Sequence, residues 1–112
     1  MTQKHSILTL SILAAGALAA ERFITAGGAL AAAAGRTIGL SESIAAAAGD
    51  LVPTIALGTG IATAGAAIAK GARVEVGANG KAVTLAAGVP VGVALQAAAA
   101  DGDRFEVFLI PN

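Results

Sequence analysis

Residues 91–109, VGVALQAAAADGDRFEVFL, nearly repeat residues 38–56, IGLSESIAAAAGDLVPTIA, without a gap at an offset of 53 residues. Gly39 falls on Gly92, Gly49 on Gly102 and Asp50 on Asp103. The same register carried upstream puts Gly27 on Gly80, Gly35 on Gly88, Leu8 over Ile61 and Ala19 over Ala72. Matches of Ala on Ala arise by chance in an alanine-rich chain, so the Gly and Asp positions carry the inference of two related units of about fifty residues. A chain of 112 residues is enough for one small domain and too short for two independent cores. The units are therefore expected to share a core in a single domain over residues 7–112, with repeats at approximately 17–57 and 70–110 and a flexible polar arm at 1–6.

Alanine is the strongest helix former, yet the fifteen glycines interrupt nearly every alanine run. No stretch keeps an apolar face at helical spacing for three turns, and the best helical candidates, Ala29 to Ala34 and Ile44 to Ala48, are very short. The expectation is an all-β chain with little helix, arranged as a small β-barrel or a β-tulip-like domain.

The clearest local element is VEVGANGKAVTL, Val74 to Leu85. Asn79-Gly80 is the favoured pair for a two-residue type I′ turn, because both positions need positive φ. Such a turn sets Ala78 opposite Lys81, Val76 opposite Val83 and Val74 opposite Leu85, with Glu75 and Thr84 on the other face. In the first unit an Ala26-Gly27 turn sets Phe23 opposite Leu30. Downstream, Val91, Val93 and Leu95 are expected to alternate inward before Gly102-Asp103 turns the chain. Phe105, Val107 and Leu109 then return, with Phe108 and Ile110 covered on the opposite face. Pro53 cannot donate a ladder bond and predicts an edge or bulge in the first return strand. Thr59 to Lys70 joins the units and contributes a strand of its own.

Apolar residues make up 56% of the chain, but most are Ala, and aromatics are only 3%. Alanine buries little area, so a lone protomer has a thin core and gains from a partner. Seven basic and seven acidic residues are scattered and cancel. Without a basic run or stacking aromatics, nucleic-acid binding is not expected. The absence of cysteine removes disulfides and thiolate metal sites. Met1 to Glu21 has the outline of a secretory signal, which makes a secreted or periplasmic β domain with a cleaved signal peptide the alternative reading. Against it, Leu8, Leu10 and Ile12 share one face, as in a half-buried strand. Leu51 to Ala69 is uncharged and long enough to span a bilayer, but Pro53 and its glycines and threonines make it a soluble stretch with turns.

Catalytic chemistry is nearly absent. His5 is the only histidine and lies in the polar tail without a carboxylate beside it. Asp101 and Asp103 flank Gly102 but lack the further oxygen ligands of a calcium loop. Glu42, with Ser41 and Ser43, has no histidine for nucleophile work. Gly58, Gly60 and Gly65 form no phosphate loop, because no GK[ST] follows. Lys81 sits on a hairpin turn, as the modified lysine of biotinyl and lipoyl domains does, but its flanks Gly80 and Ala82 lack their context. A solubilising edge lysine is the simpler account. No enzyme, metal or cofactor is expected.

From Leu8 onward the chain resembles the small capsid cement, or head decoration, proteins of tailed bacteriophages and Mu-like prophages. Val91-Gly92-Val93, Ala97 to Ala100, Gly102-Asp103 and Phe105 to Ile110 carry the resemblance, echoed by Ile38-Gly39-Leu40 and Gly49-Asp50. The resemblance implies a virion structural protein made in the host cytoplasm that stabilises the capsid exterior. It also implies the major capsid protein as partner, a homotrimer bridging its neighbouring subunits, and neither nucleic acid nor membrane as partner. In related systems an N-terminal arm orders on the capsid, which makes Thr2, Gln3, Lys4, His5 and Ser6 the candidate capsid-binding residues.

Overall fold

The computed structural model describes residues 4–42 and 46–112. Among these residues the chain forms β1 (Ser6–Leu13), β2 (Phe23–Ile24), β3 (Gly39–Ser41), β4 (Leu51–Thr63), β5 (Arg73–Val76), β6 (Ala82–Thr84), β7 (Gly92–Ala94) and β8 (Arg104–Leu109). The only helical piece among them is a 3-10 turn at Ala78–Gly80. Ala29 to Ala34 is a loop, Ala46 bridges Leu18, and Ile44 lies outside the described residues. All strand-to-strand pairings are antiparallel, in the order β2-β3-β4-β8-β7-β5-β6, with β1 added on β4. The named strands close no ring, so the expected barrel is not closed, although a single parallel bridge between Ala64 and Ala82 brings β6 back beside the end of β4.

The arrangement follows from β4. Its 13 residues run unbroken where the sequence predicted a return strand and a separate joining strand. The first part pairs with β1 and β3, and the last part pairs with β8. Pro53 sits opposite Ser11, one step beyond the last β3 pair. Its carbonyl accepts the Glu42 N–H at 3.0 Å, and the carbonyl of Glu42, given no donor by the proline, accepts the Glu21 N–H at 3.3 Å.

The pairings recur along the chain. Leu10↔Thr54 has its counterpart in Gly60↔Val107, Phe23↔Leu40 in Arg73↔Val93, and Leu40↔Ile55 in Val93↔Phe108. Leading strands move by 50 residues and returning strands by 53. The three extra residues lie in the hairpin region between β5 and β7. A single offset of 53 thus holds only for the returning strands, and Leu8 lies over Gly58 rather than Ile61. The turns into β4 and β8 also correspond. Gly49 and Gly102 have φ of 91° and 92°, a left-handed conformation that glycine adopts without a Cβ penalty. The Asp50 carboxylate accepts the Ala47 N–H at 3.0 Å, and that of Asp103 accepts the Ala99 and Ala100 N–H groups at 2.9 and 3.2 Å.

Both hairpins differ from expectation by one residue. Asn79 and Gly80 do have positive φ, and Lys81 N–H closes the turn onto the Ala78 carbonyl at 3.2 Å. However, the Gly77 N–H also bonds the Lys81 carbonyl, at 2.6 Å, which leaves Ala78 as an extra residue on the leading side. Val76 therefore pairs with Ala82 and Val74 with Thr84, while Glu75 pairs with Val83 and is buried. In the first hairpin a three-residue loop closes through Thr25 and Ala29, so Leu30 meets Ile24 rather than Phe23.

The core follows from these registers. Phe23, Leu40 and Ile55 from the first half pack in one cluster with Ala62, Val74, Val91, Phe105 and Val107 from the second. A smaller cluster joins Ala14, Leu18, Ile24 and Val52. Each fully buried Phe, Leu, Ile or Val contributes about 1.5–3 kcal/mol, so a few large side chains outweigh the many alanines. Val91 is fully buried as expected, but on β7 the buried residues are Gly92 and Ala94, while Val93 is half-buried and Leu95 is exposed. The cause is the close approach of β8: a Cβ on Gly92 would stand 2.7 Å from Val107 Cγ2 and 2.8 Å from the Phe108 carbonyl oxygen.

Candidate functional site

The polar residues singled out in the sequence make structural bonds rather than a reactive cluster. Lys4 pairs with Glu42 at 2.5 Å. The His5 backbone makes two bonds with Thr59, its N–H donating to the side-chain Oγ1 at 2.7 Å and its carbonyl accepting the Thr59 N–H at 3.0 Å. Ser6 opens β1, and Thr2, Gln3 and Ser43 lie outside the described residues. Asp101 and Asp103 do not converge. Asp101 bonds the Lys81 ammonium at 2.9 Å, while Asp103 holds its own turn. The hydrogen bond and charge of Lys81 keep the Asp101 carboxyl below its ordinary value of 3.8. Among the described residues no three His, Asp or Glu side chains gather as a metal site.

Two buried carboxylates escaped the sequence reading. Glu21, at φ 58°, pairs with Arg104 at 2.8 Å and so ties the first half to the second. Glu75 accepts the Ala86 N–H and pins the loop that leads to β7. Neither stood out, because each partner is distant in sequence or is a backbone amide.

The surface offers apolar contact instead of chemistry. Ile7, Leu13, Leu51 and Phe108 are 79%, 59%, 68% and 49% exposed. Leu13 and Leu51 are cross-strand partners at one end of the β1–β4 ribbon. Beside β1 an open groove of about 230 Å³ is lined by Leu8, Leu10, Ile38 and Ala56 together with Val91, Leu109 and the C-terminal Ile110 and Pro111. Asn112 and Thr37 also line it, the Asn112 Oδ1 accepting the Thr37 N–H at 2.9 Å. Phe108 was expected to be covered, but its face of β8 carries only Val93 and Thr59 as cross-strand neighbours. Exposed aliphatic and aromatic groups of this kind, without titratable partners, are suited to burial against another protein.

The family model described as phage cement protein matches residues 1–109. The chain belongs to the phage cement protein family. This cement protein is also similar to a solved structure, the N base of head fiber gp8.5 in bacteriophage phi29, with a TM-score of 0.75 and 20% sequence identity. The alignment covers 92% of the cement chain and 93% of the phi29 chain, so the two share a fold over nearly their whole lengths. A comparison with curated proteins finds no match. The family and the structural neighbour are phage structural proteins, not enzymes.

Proposed function

We propose that this phage cement protein decorates the outer surface of a tailed-phage capsid as a homotrimer and stabilises the shell by bridging neighbouring major capsid subunits. The observation that carries the reading is the match of the cement family over residues 1–109, which assigns the chain a capsid-associated structural role. The exposed Ile7, Leu13, Leu51 and Phe108 support it, since cementing acts by burying surface across subunit joints and needs no reactive group. Residues 1–6 are the arm that engages the capsid, with Thr2, Gln3, Lys4, His5 and Ser6 in contact, and residues 7–112 are one domain with two related units. Several modest contacts presented together gain strength through effective concentration.

The test adds the purified chain to undecorated heads of its phage and images them by cryo-electron microscopy. The expected result is density on the outside at three-fold or quasi-three-fold positions, with decorated heads surviving heating that opens bare ones. Failure to bind heads, or density confined to the interior or the tail, overturns the reading. Deleting residues 2–5 tests the arm separately and is expected to weaken binding while the far-UV spectrum stays β-rich.

A further inference from the structure

The chain contains an unfilled groove and an uncovered phenyl ring, and its own two halves show how these fit together. By the recurring pairings, Leu40 and Ile55 of the first half correspond to Val93 and Phe108 of the second. Leu40 and Ile55 are fully buried because the second half lies on them. A Cβ on Gly60 would stand 3.0 Å from Leu40 Cδ1 and 3.3 Å from Ile55 Cδ1, and Val91 and Leu109 belong to the same cluster. The positions that correspond to Gly60, Val91 and Leu109 in the first half are Leu10, Ile38 and Ala56, and all three line the open groove. The first half thus presents the counterpart of that receiving surface as an open groove, which Val91 and Leu109 of the same chain also line. The second half presents the entering residues: among the described residues Phe108 is half exposed and Val93 is only half-buried.

A second relationship agrees. The Thr63 N–H reaches across to the Glu21 carbonyl at 3.1 Å, which covers the outer edge of that part of β4. Thr63 corresponds to Leu13, and Glu21 to Gly71. The Ala14 N–H donates to the Asp50 carbonyl at 2.8 Å, so antiparallel alternation turns the Leu13 N–H away from β4. Among the described residues no strand pairs with that edge of β1, and no donor bonds the exposed Gly71 carbonyl.

From these two relationships we infer that copies of this chain associate head to tail. Val93 and Phe108 of one copy enter the Leu10–Ile38–Ala56 groove of the next, and the Gly71 carbonyl accepts the neighbour's Leu13 N–H. The occupant is a second copy because the same contact, between the same positions, is already made once inside each chain. It joins unlike surfaces and is therefore heterologous, closing into a ring when the rotation allows. A closed trimer is then a ring of six related units. This deepens the homotrimer reading and rests on it for the number of copies.

The test uses the full chain, whose lack of cysteine makes engineered thiols the only ones present. Leu13→Cys and Gly71→Cys proteins are purified separately, mixed and mildly oxidised. Side chains at these positions come within disulfide reach, Cα atoms less than about 7 Å apart, only across the proposed contact. A Cβ at Gly71 meets nothing within 4 Å, and although its φ of 85° strains a side chain there, the corresponding Glu21 bears one at φ 58°. The expected product is a covalent dimer in the mixture and not in either protein alone. Dimers from Leu13→Cys alone mean that β1 edges pair symmetrically, which overturns the inference, as does assembly without cross-linking in the mixture. Phe108→Asp, with an unchanged far-UV spectrum, is expected to raise the self-association dissociation constant by at least about tenfold. Unchanged sedimentation of that variant overturns the inference too. A wild-type chain that stays monomeric at every concentration overturns this contact and the homotrimer together, whereas heads bound by monomers leave the capsid role standing.

Discussion

The backbone carbonyl of Glu21 accepts two bonds from Thr63, one from its N–H at 3.1 Å and one from its hydroxyl at 3.2 Å. The two residues are 42 positions apart, and the contact joins the start of the first hairpin to the end of β4. The Glu21 carboxylate meanwhile holds Arg104. Thr63→Val removes the hydroxyl bond and keeps the shape, and is expected to cost about 1 kcal/mol in urea unfolding. Arg104→Ala leaves a buried carboxylate without its cation and is expected to cost about 1–3 kcal/mol. A neutral result for Arg104→Ala in the same assay removes this pair from the account of how the halves are held.

Gly39 and Gly92 occupy corresponding places on β3 and β7, where the returning strand passes too close for a side chain. A Cβ on Gly39 would overlap the Ile55 carbonyl oxygen, and one on Gly92 would meet Val107 and Phe108. Gly39→Ala and Gly92→Ala are each expected to lose about 1–3 kcal/mol by overpacking, with Gly39 the worse because its backbone obstacle, the Ile55 carbonyl oxygen, is nearer than the Phe108 carbonyl oxygen is to Gly92. Gly16, where a Cβ would meet nothing within 4 Å, serves as the control. Gly16→Ala should change stability by no more than about 0.5 kcal/mol in the same thermal scans.

Asp103 bonds two backbone amides of its own turn. Asp103→Ala should cost about 1–2 kcal/mol, and Asp103→Asn distinctly less, because the amide oxygen still accepts. Equal losses in the two variants, read by chemical denaturation, count against the turn bonds as the source.

Asp101 is held ionised by Lys81, so its folded pKa lies below its unfolded one. For an acid shifted in this direction the contribution is present above the unfolded value, near 3.8, and fades as pH falls through the folded value. Solvent exposure keeps the contribution small. A carboxyl-carbon NMR titration should place Asp101 below the value for an isolated Asp, and Lys81→Met should return it there. A midpoint unmoved by that substitution excludes Lys81 as the cause.

The motif that carried the family resemblance was legible before its reason was. Ile38-Gly39-Leu40 and Val91-Gly92-Val93 stand out as strings, yet only the packing of β4 and β8 explains why glycine sits at their centres. The Gly-Asp turns were legible with their mechanism, since both are local: a left-handed glycine followed by a carboxylate within reach of nearby amides. The hairpin registers were not. One bulged residue, Ala78, reverses every facing pair between Val74 and Thr84, and nothing in VEVGANGKAVTL announces it. Glu75 lies on the face opposite Val74 and Val76 as expected, but only the loop that brings the Ala86 N–H onto its carboxylate shows that this face is buried.

By itself the sequence determined the class and the rhythm of this protein. Glycines break the alanine runs before a helix can propagate, and the recurring Gly-Asp turns return the chain at matched points. Tertiary structure decided the faces and the register, because these depend on which strand lies within hydrogen-bonding distance of which. It buried Ile55 and left the corresponding Phe108 half exposed, since the second half covers the first and, among the described residues, nothing covers the second in the same way.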